Sequence, residues 1–248
     1  MKRRALIIYC DNTSPKRLVG PPMDKENYFA YLTSSLGGSW YDNEILPLHN
    51  PYPCDVSQAI NGFMNDADYT LIIFSGHGAH EINTNQQLLE LQGGDILISQ
   101  LKTNAPRQTI IIDSCRVLYS AKREDLKKYA LLDESKLSVG STRTLFEQML
   151  LETDEGLSVT MFSCSKNQSS GDSTEGGYYL LALLQVANEW SENEPFQKCL
   201  DLRAAHQLAS EYIARNYLTT QTPELLPEKR SKYFPFAVKL TLLHRMGM

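Results

Sequence analysis

Two apolar segments of the sequence each end at a side chain that can do chemistry. The segment Leu71–Gly78 ends with a histidine between two glycines, and Thr109–Cys115 ends with Asp-Ser-Cys. A continuous apolar run of this length is typical of a strand buried on both faces of a parallel sheet. Ligands of open α/β sheets bind beyond the carboxyl ends of the strands, so neighbouring strands would bring His77 and Cys115 to one edge. The pattern therefore predicts a thiol nucleophile beside a base.

The residues around this pair suggest how it would work. A free thiol has a pKa of about 8.5, and a neighbouring imidazole can activate it either as a general base or as the cation of an ion pair. The backbone N–H groups of Gly78 and Cys115 can bind a developing oxyanion. Asp113 lies two residues before Cys115 and points to the same side of the strand, so its carboxyl group could line a pocket for a cationic substrate side chain.

Composition excludes several classes of protein. The chain has 248 residues, 42% hydrophobic and 21% charged, with a net charge of −5, which is typical of a soluble globular protein. This charge gives no basic surface for nucleic acid, and no apolar run reaches the roughly 18 residues that a membrane span needs. We expect a cytoplasmic protein, because the five cysteines are widely spaced and include no C-x-x-C.

The order of the predicted elements indicates a doubly wound sheet with helices on both faces. We predict a first strand at Arg4–Cys10, and helices whose N-caps are Asp24 and Asp55. Further predicted elements are an edge strand at Ile45–Leu48, a small hairpin and short helix within Leu88–Leu101, a buried strand at Gly156–Cys164, two amphipathic helices at Tyr178–Trp190 and Cys199–Leu218, and a last strand at Phe234–Leu240.

Residues 117–157 differ from the rest of the chain. The stretch is charged, favours a helix around Leu118–Leu132 and a loop through Ser138–Thr144, and is interpreted as an insertion between two halves.

Ser75–Gly78 could alternatively form an anion-binding loop of a small-molecule-binding domain. The chain has no G-x-G-x-x-G or Walker pattern to support that alternative.

The two strand-end motifs together resemble those of the caspase and metacaspase group of cysteine peptidases. Gly20–Asp24 is similar to the opening of the first helix in that group, and Ser163–Asp172 is similar to the metacaspase segment after the fifth strand. The resemblance covers most of Arg4–Leu184. It implies an α/β, caspase-haemoglobinase-like three-layer sandwich with a mostly parallel central sheet and helices on both faces. It also implies one peptidase domain over 1–248, with a large-subunit-like half (1–116), a linker (117–157) and a small-subunit-like half (158–248).

Residue roles follow from the same resemblance. Cys115 would be the nucleophile and His77 the general acid/base, with Gly78 and Cys115 forming the oxyanion site. Asp113, Asp24 and Asp172 would bind Arg or Lys before the scissile bond. The resemblance implies a thiol protease that uses no metal or organic cofactor and acts on protein or peptide substrates.

The resemblance also implies regulation and leaves alternatives. The enzyme would be a zymogen, activated by an upstream protease or a regulatory protein, with Lys122, Arg123, Lys127, Lys128 and Arg143 as candidate cleavage points. Stand-alone peptidases of this size resemble effectors of microbial death or antiviral (antiphage) defence. Arg17 lies where caspases draw an arginine for an aspartate pocket, so an Asp-specific peptidase is one alternative. A non-catalytic interaction module is another. Cys115 is followed by Arg116-Val117 instead of the His-Ser-Gly of many metacaspases.

Overall fold

The computed structural model describes residues 1–83, 85–117, 139–194, 197–227 and 231–240. Its centre is a six-stranded sheet in the order β12-β8-β7-β3-β1-β2. The strands of this sheet are β1 (Arg3–Tyr9), β2 (Ile45–His49), β3 (Tyr69–Ser75), β7 (Arg107–Asp113), β8 (Leu157–Phe162) and β12 (Glu224–Leu226). Five strands run parallel, and β12 pairs with β8 antiparallel. The predicted mostly parallel α/β sheet is confirmed.

Small sheets and helices complete the architecture. The short strands are β4 (Gly78–Glu81), β5 (Gln86–Leu91), β6 (Gly94–Leu97), β9 (Asp172–Ser173), β10 (Gly176–Gly177), β11 (Cys199–Asp201) and β13 (Pro235–Val238). The α-helices are α1 (Pro21–Thr33), α2 (Pro53–Gln58), α3 (Val139–Leu151), α4 (Tyr178–Asn193) and α5 (Leu202–Asn216). Short 3-10 turns at Asp42–Glu44 and Ile98–Leu101 and a π turn at Ala59–Phe63 connect them.

Side chains of the central strands point alternately to the two faces of the sheet, and each face has its own hydrophobic core. Ile7 and Ile73 face a core with α1, α3, α4 and α5, whereas Ile8 and Phe74 face a second core. Successive side chains of a strand point to opposite faces, so an uninterrupted apolar strand must be covered on both sides. The second core is closed by α2 together with β5 and β6. The second face is thus shared between helix and a three-stranded sheet.

Several sequence-based assignments of elements are wrong in detail. The stretch from residue 139 to Thr144, predicted as loop, is the first part of α3. Asp24 does not cap a helix, because α1 begins three residues earlier at Pro21, where proline needs no N–H partner. Asp55 is the third residue of α2, and its carboxylate accepts a hydrogen bond from the Tyr52 N–H. The predicted helix around Leu118–Leu132 lies outside the described residues.

The C-terminal region also departs from expectation. The last strand, β13, does not join the central sheet but pairs antiparallel with β11, directly before α5. The strand at this edge of the central sheet is β12, which has three residues and which we did not predict. A strand this short carries no readable alternation, so tertiary pairing decides its structure.

Candidate active site

The register of the central sheet brings the two chemical motifs to one edge. Ser75, the last residue of β3, is paired with Asp113, the last residue of β7, and the Gly76 N–H donates to the Asp113 carbonyl at 3.2 Å. His77 and Cys115 each follow two residues beyond this pair. An ideal Cβ placed on Gly78 would lie only 2.7 Å from Ser114 Oγ, so the two loops are in close contact. The predicted meeting of the two motifs is therefore present.

A backbone carbonyl orients His77. Its Nε2 lies 2.7 Å from the Lys16 carbonyl oxygen, in the loop after β1. Because a carbonyl only accepts, Nε2 carries the proton in this contact, and Nδ1 of the neutral ring is left as the acceptor. Burial lowers the pKa of His77, while the carboxylates of Glu90 and Asp172 oppose that shift. The imidazole is thus uncharged at neutral pH.

The Cys115 thiol is held on the other side of the site. Its Sγ lies 3.9 Å from the Ser170 carbonyl oxygen, and burial raises its pKa. Hydrogen bonds with Ser170 and Ser169 oppose this shift, and the negative charges of Asp113 and Asp172 add to it. The thiol is consequently protonated at neutral pH. A neutral thiol and a neutral imidazole form the resting pair.

Two buried aspartates lie at the ends of β3 and β7, from which the loops of His77 and Cys115 begin. Asp113 Oδ1 accepts from Ser170 Oγ at 2.5 Å, and Oδ2 accepts from the Leu180 N–H at 3.3 Å. Burial raises the pKa of Asp113 to about 6. Asp24 accepts from Ser75 Oγ at 2.5 Å and from the Gly177 N–H at 2.9 Å. Burial and the nearby Asp113 charge raise its pKa well above the ordinary value.

Asp172 is the third carboxyl group of the site. Its Oδ2 lies 3.4 Å from the Gly20 N–H, and N–H groups of Val19 and Ser173 also stabilise its charge. Burial nevertheless raises its pKa. Its charge raises the pKa of Asp24, Asp113, His77 and Cys115, so it lies near all four side chains. All three sequence-predicted aspartates therefore lie at the site.

Three glycines press the backbone against these carboxyl groups. A Cβ on Gly177 would lie 2.3 Å from Asp113 Oδ2, one on Gly176 would lie 2.3 Å from Asp24 Oδ1, and one on Gly20 would lie 1.8 Å from Asp172 Oδ1. Gly176 also has a φ of +136°, which other residues rarely adopt. No side chain fits at these positions. Gly176 and Gly177 were not among the predicted site residues, although a Gly-Gly pair directly before a helix was a readable signal.

Arg17 does not enter the acidic cluster. Its Nη2 and Nε lie 2.9 and 3.1 Å from Asp11 Oδ2, and 72% of its side chain is exposed. The buried Asp11 carboxylate also binds His49 and Asn50 at 2.7 and 2.8 Å. Arg17 is thus bound to the end of β1 and to no carboxyl group of the cluster.

Arg116 is buried against β8 and β12. Its guanidinium stacks over the Phe162 ring at 4.0 Å and binds Glu224 Oε2 at 2.5 Å and the Cys164 carbonyl at 3.0 Å. The residue after Cys115 therefore ties the loop to β8 and β12.

In the described parts of the chain, no cluster of three or more His, Cys, Asp or Glu side chains could hold a metal ion.

Comparison with known proteins decides the family. A family model of the caspase domain matches residues 2–235, nearly the whole chain. The chain belongs to the caspase domain family. Membership supports a cysteine peptidase that acts on protein substrates, although the match by itself assigns no catalytic residue. A search of curated protein sequences finds no match.

Two solved structures share the fold. The chain is similar to caspase-1 from Spodoptera frugiperda, with 15% identity and a TM-score of 0.57 over 90% of this chain and 85% of that one. It is also similar to protein GSU0716 from Geobacter sulfurreducens, with 14% identity and a TM-score of 0.54 over 91% and 92% of the two chains. Among the described residues of this caspase-domain chain, no helix has the length and apolar character to cross a membrane.

Proposed function

We propose that the protein is a cysteine endopeptidase that cleaves protein substrates after Arg or Lys. The observation that carries the specificity is the acidic cluster of Asp24, Asp113 and Asp172 beside Cys115. Three carboxyl groups so close together repel one another and lose hydration. A guanidinium or ammonium group would relieve both costs, because it pairs with the carboxylates and favours their charged forms.

The proposed chemistry starts from the neutral pair. As the Cys115 sulfur attacks the peptide carbonyl, the thiol proton passes to Nδ1 of His77, and a C–S bond forms. The N–H groups of Gly78 and Cys115 stabilise the resulting oxyanion. The imidazolium then donates its proton to the leaving amine as the C–N bond breaks, which leaves an acyl-enzyme. Water, deprotonated by His77, attacks the thioester and returns the thiol.

Lys16 assists this cycle through its carbonyl group. The hydrogen bond from His77 Nε2 keeps the second ring nitrogen, Nδ1, free to take the thiol proton. It also stabilises the imidazolium, because both N–H groups of the charged ring then have a partner or a function. The backbone carbonyl of any residue could accept this hydrogen bond. The type of residue at position 16 therefore does not indicate the role in the sequence.

The alternatives have less support. An Asp-specific peptidase would need a cation in the pocket, and Arg17 is bound to Asp11 instead. A non-catalytic interaction module would not require the His77 ring to be oriented by Lys16, or a thiol at the end of the neighbouring strand. We therefore retain these two functions only as outcomes of the test.

We further propose a single peptidase domain, composed of residues 1–116 and 158–248 and joined by the linker 117–157, and activation by linker cleavage or by a partner. Arg143 is a poor cleavage point, because it lies in α3 and binds both oxygens of Glu44 at 2.8 Å. Lys122, Arg123, Lys127 and Lys128 lie outside the described residues. Mass spectrometry of purified active enzyme tests the proposal: an intact linker in a fully active protein would contradict obligatory cleavage.

Hydrolysis of fluorogenic peptides that end in Arg, Lys or Asp tests the function. We expect turnover of the Arg and Lys peptides by the native protein, and loss of about 10³-fold or more in Cys115→Ala. Equal turnover by both proteins would contradict the assignment of the nucleophile. A preference for the Asp peptide would contradict the pocket and leave the nucleophile in place.

A further inference from the structure

A buried glutamine joins the two loops of the candidate active site. Gln87 lies in β5, is only 2% exposed, and directs its amide toward the loop that carries Cys115. Its Nε2 donates to the Cys115 carbonyl at 2.9 Å and to Ser114 Oγ at 3.0 Å, and also lies 3.2 Å from the Leu88 carbonyl. The side chain thus contacts both the nucleophile residue and the residue before it.

The same amide touches the histidine side of the site. A Cβ on Gly78 would lie 2.8 Å from Gln87 Nε2, so the backbone of β4 just after His77 packs against this nitrogen. Gln87 itself is paired with His80 of β4. The side chain therefore fills the space between Gly78 and Cys115, the two residues whose N–H groups form the proposed oxyanion site.

The other anchors of the nucleophile loop come mainly from the opposite direction. The Ser114 N–H donates to Ser163 Oγ at 3.2 Å, and the Arg116 N–H donates to the Gln168 carbonyl at 2.9 Å. Both acceptors follow β8. Gln87 binds the loop from the other side. The loop is therefore held between the residues that follow β8 and the small sheet that begins at Gly78.

An unpaired atom indicates that the amide is present for its donor. Among the described residues, Gln87 Oε1 is buried without a hydrogen-bond partner. A buried unpaired amide oxygen costs free energy, and an apolar side chain of similar shape would avoid that cost. Packing alone therefore does not account for a glutamine here, whereas hydrogen bonds from Nε2 to the nucleophile loop do.

We propose that Gln87 is a positioning residue, which fixes the Cys115 loop against Gly78 so that the sulfur and the two oxyanion N–H groups meet one carbonyl. The inference rests on the proposed peptidase function. Gln87 does not contact the reacting atoms. It acts through the carbonyl of Cys115 and the backbone of Gly78, and its loss would separate the nucleophile from the oxyanion site.

The first test compares Gln87→Met with the adjacent Gln86→Met, whose side chain faces the other side of β5. Loss of the donor should lower kcat by about 10-fold with KM nearly unchanged, because loop position matters most in the transition state. Alkylation of Cys115 by iodoacetamide should become at least about threefold faster, because a freer loop exposes the thiol to water. Gln86→Met should match the native protein in both. A Gln87→Met protein with native kcat would overturn the inference.

A second variant separates the donor from packing. In Gln87→Glu, an ionised carboxylate faces two carbonyl oxygens, and only the protonated acid can donate to Cys115. The ratio of Gln87→Glu to native kcat should therefore rise as pH falls from about 8 to about 6, whereas the Gln87→Met ratio should stay level. A level ratio in both variants would overturn the donor role. Thermal unfolding of each variant shows that it is folded under the assay conditions.

The two proposals can fail separately. If the native protein cleaves no peptide, the peptidase function fails, and alkylation of Cys115, which needs no turnover, judges the role of Gln87. Faster alkylation in Gln87→Met but not in Gln86→Met would then support loop positioning. Equal rates in all three proteins would overturn it.

Discussion

At the residue scale, both proposed reacting side chains are uncharged in the absence of substrate. His77 donates to the Lys16 carbonyl and Cys115 to the Ser170 carbonyl. Burial lowers the pKa of the imidazole and raises the pKa of the thiol, so the ion pair is not the resting form. In the proposed mechanism, transfer of the thiol proton to His77 would therefore accompany attack on the substrate.

Asp113 is the residue whose charge we expect to set specificity. Asp113→Asn should lower kcat/KM for Arg peptides by about 10- to 100-fold, mainly through KM, because a charge-assisted hydrogen bond to the substrate is lost. The exposed Asp95 of β6 provides the matched control, and Asp95→Asn should be neutral. Steady-state kinetics with Arg peptides measure the difference. Unchanged KM in Asp113→Asn would refute the pocket.

The pH dependence of cation binding follows from the same group. Burial raises the pKa of Asp113 to about 6, so the carboxylate is charged above that pH and protonated below it. A cation should bind well at neutral pH and progressively lose affinity as the pH falls through about 6. Calorimetry of benzamidine with Cys115→Ala measures this without interference from the thiol. Affinity that rises toward acid pH would have the wrong sign.

Much of the site could be predicted at this scale, and some could not. His77 and Cys115 stand at abrupt ends of apolar strands, which is a pattern within a few residues. Ser170 and Gln87 act through hydrogen bonds to residues 57 and 28 positions away, so local sequence cannot indicate them. Asp24 was predicted to be the N-cap of a helix for the same reason. Its hydrogen-bond partners, Ser75 and Gly177, are distant in the sequence.

At the element scale, α3 is the element that sequence patterns described least well. It lies within the proposed linker 117–157 and is held by a partly buried ion-pair network as well as by apolar side chains. Arg143 binds Glu44 and Glu147, stacks on Tyr41 at 4.1 Å, and shares Glu44 with Arg3. Glu44 and Tyr41 lie about one hundred positions earlier in the chain, which explains why Ser138–Thr144 looked like a loop.

Glu44 is central to this network and gives a stability prediction. Glu44→Gln should destabilise the fold by about 1 to 3 kcal/mol, because it leaves Glu147 as the one remaining counter-charge described for the buried Arg3 and the partly buried Arg143. Chemical denaturation measures the loss, with the exposed Glu192→Gln as control. Peptide turnover by the folded variant should be native, since Glu44 contacts no proposed site residue. A variant as stable as the native protein would show that the network contributes no net stability.

At the scale of the whole molecule, the sheet joins both sides of the linker. The strand β7 precedes the linker and β8 follows it, and the two pair in parallel from Arg107–Leu157 to Ile112–Phe162. The acidic cluster also spans the linker, with Asp24 and Asp113 on one side and Asp172 on the other. The parallel centre of the sheet could be predicted from the sequence, because β3 and the second half of β7 are continuous apolar runs. The small sheet of β11 and β13 could not.

This architecture predicts that the chain stays assembled after cleavage. If an engineered recognition site for a specific protease is placed within 118–138 and cut, the two fragments should elute together in native size-exclusion chromatography. The buried β7–β8 pairing would hold them, and only denaturant should separate them. Fragments that separate in native buffer would contradict this prediction.

The central claim is that Cys115 is a nucleophile served by a pocket for Arg or Lys. Labelling with a peptidyl-arginine acyloxymethyl ketone, followed by mapping of the adduct by tandem mass spectrometry, tests both parts together. The account predicts one adduct, on Cys115, which benzamidine slows and which is absent from Cys115→Ala. Equal labelling of Cys115→Ala, or faster labelling of Cys115 by the matching aspartyl reagent, would contradict it.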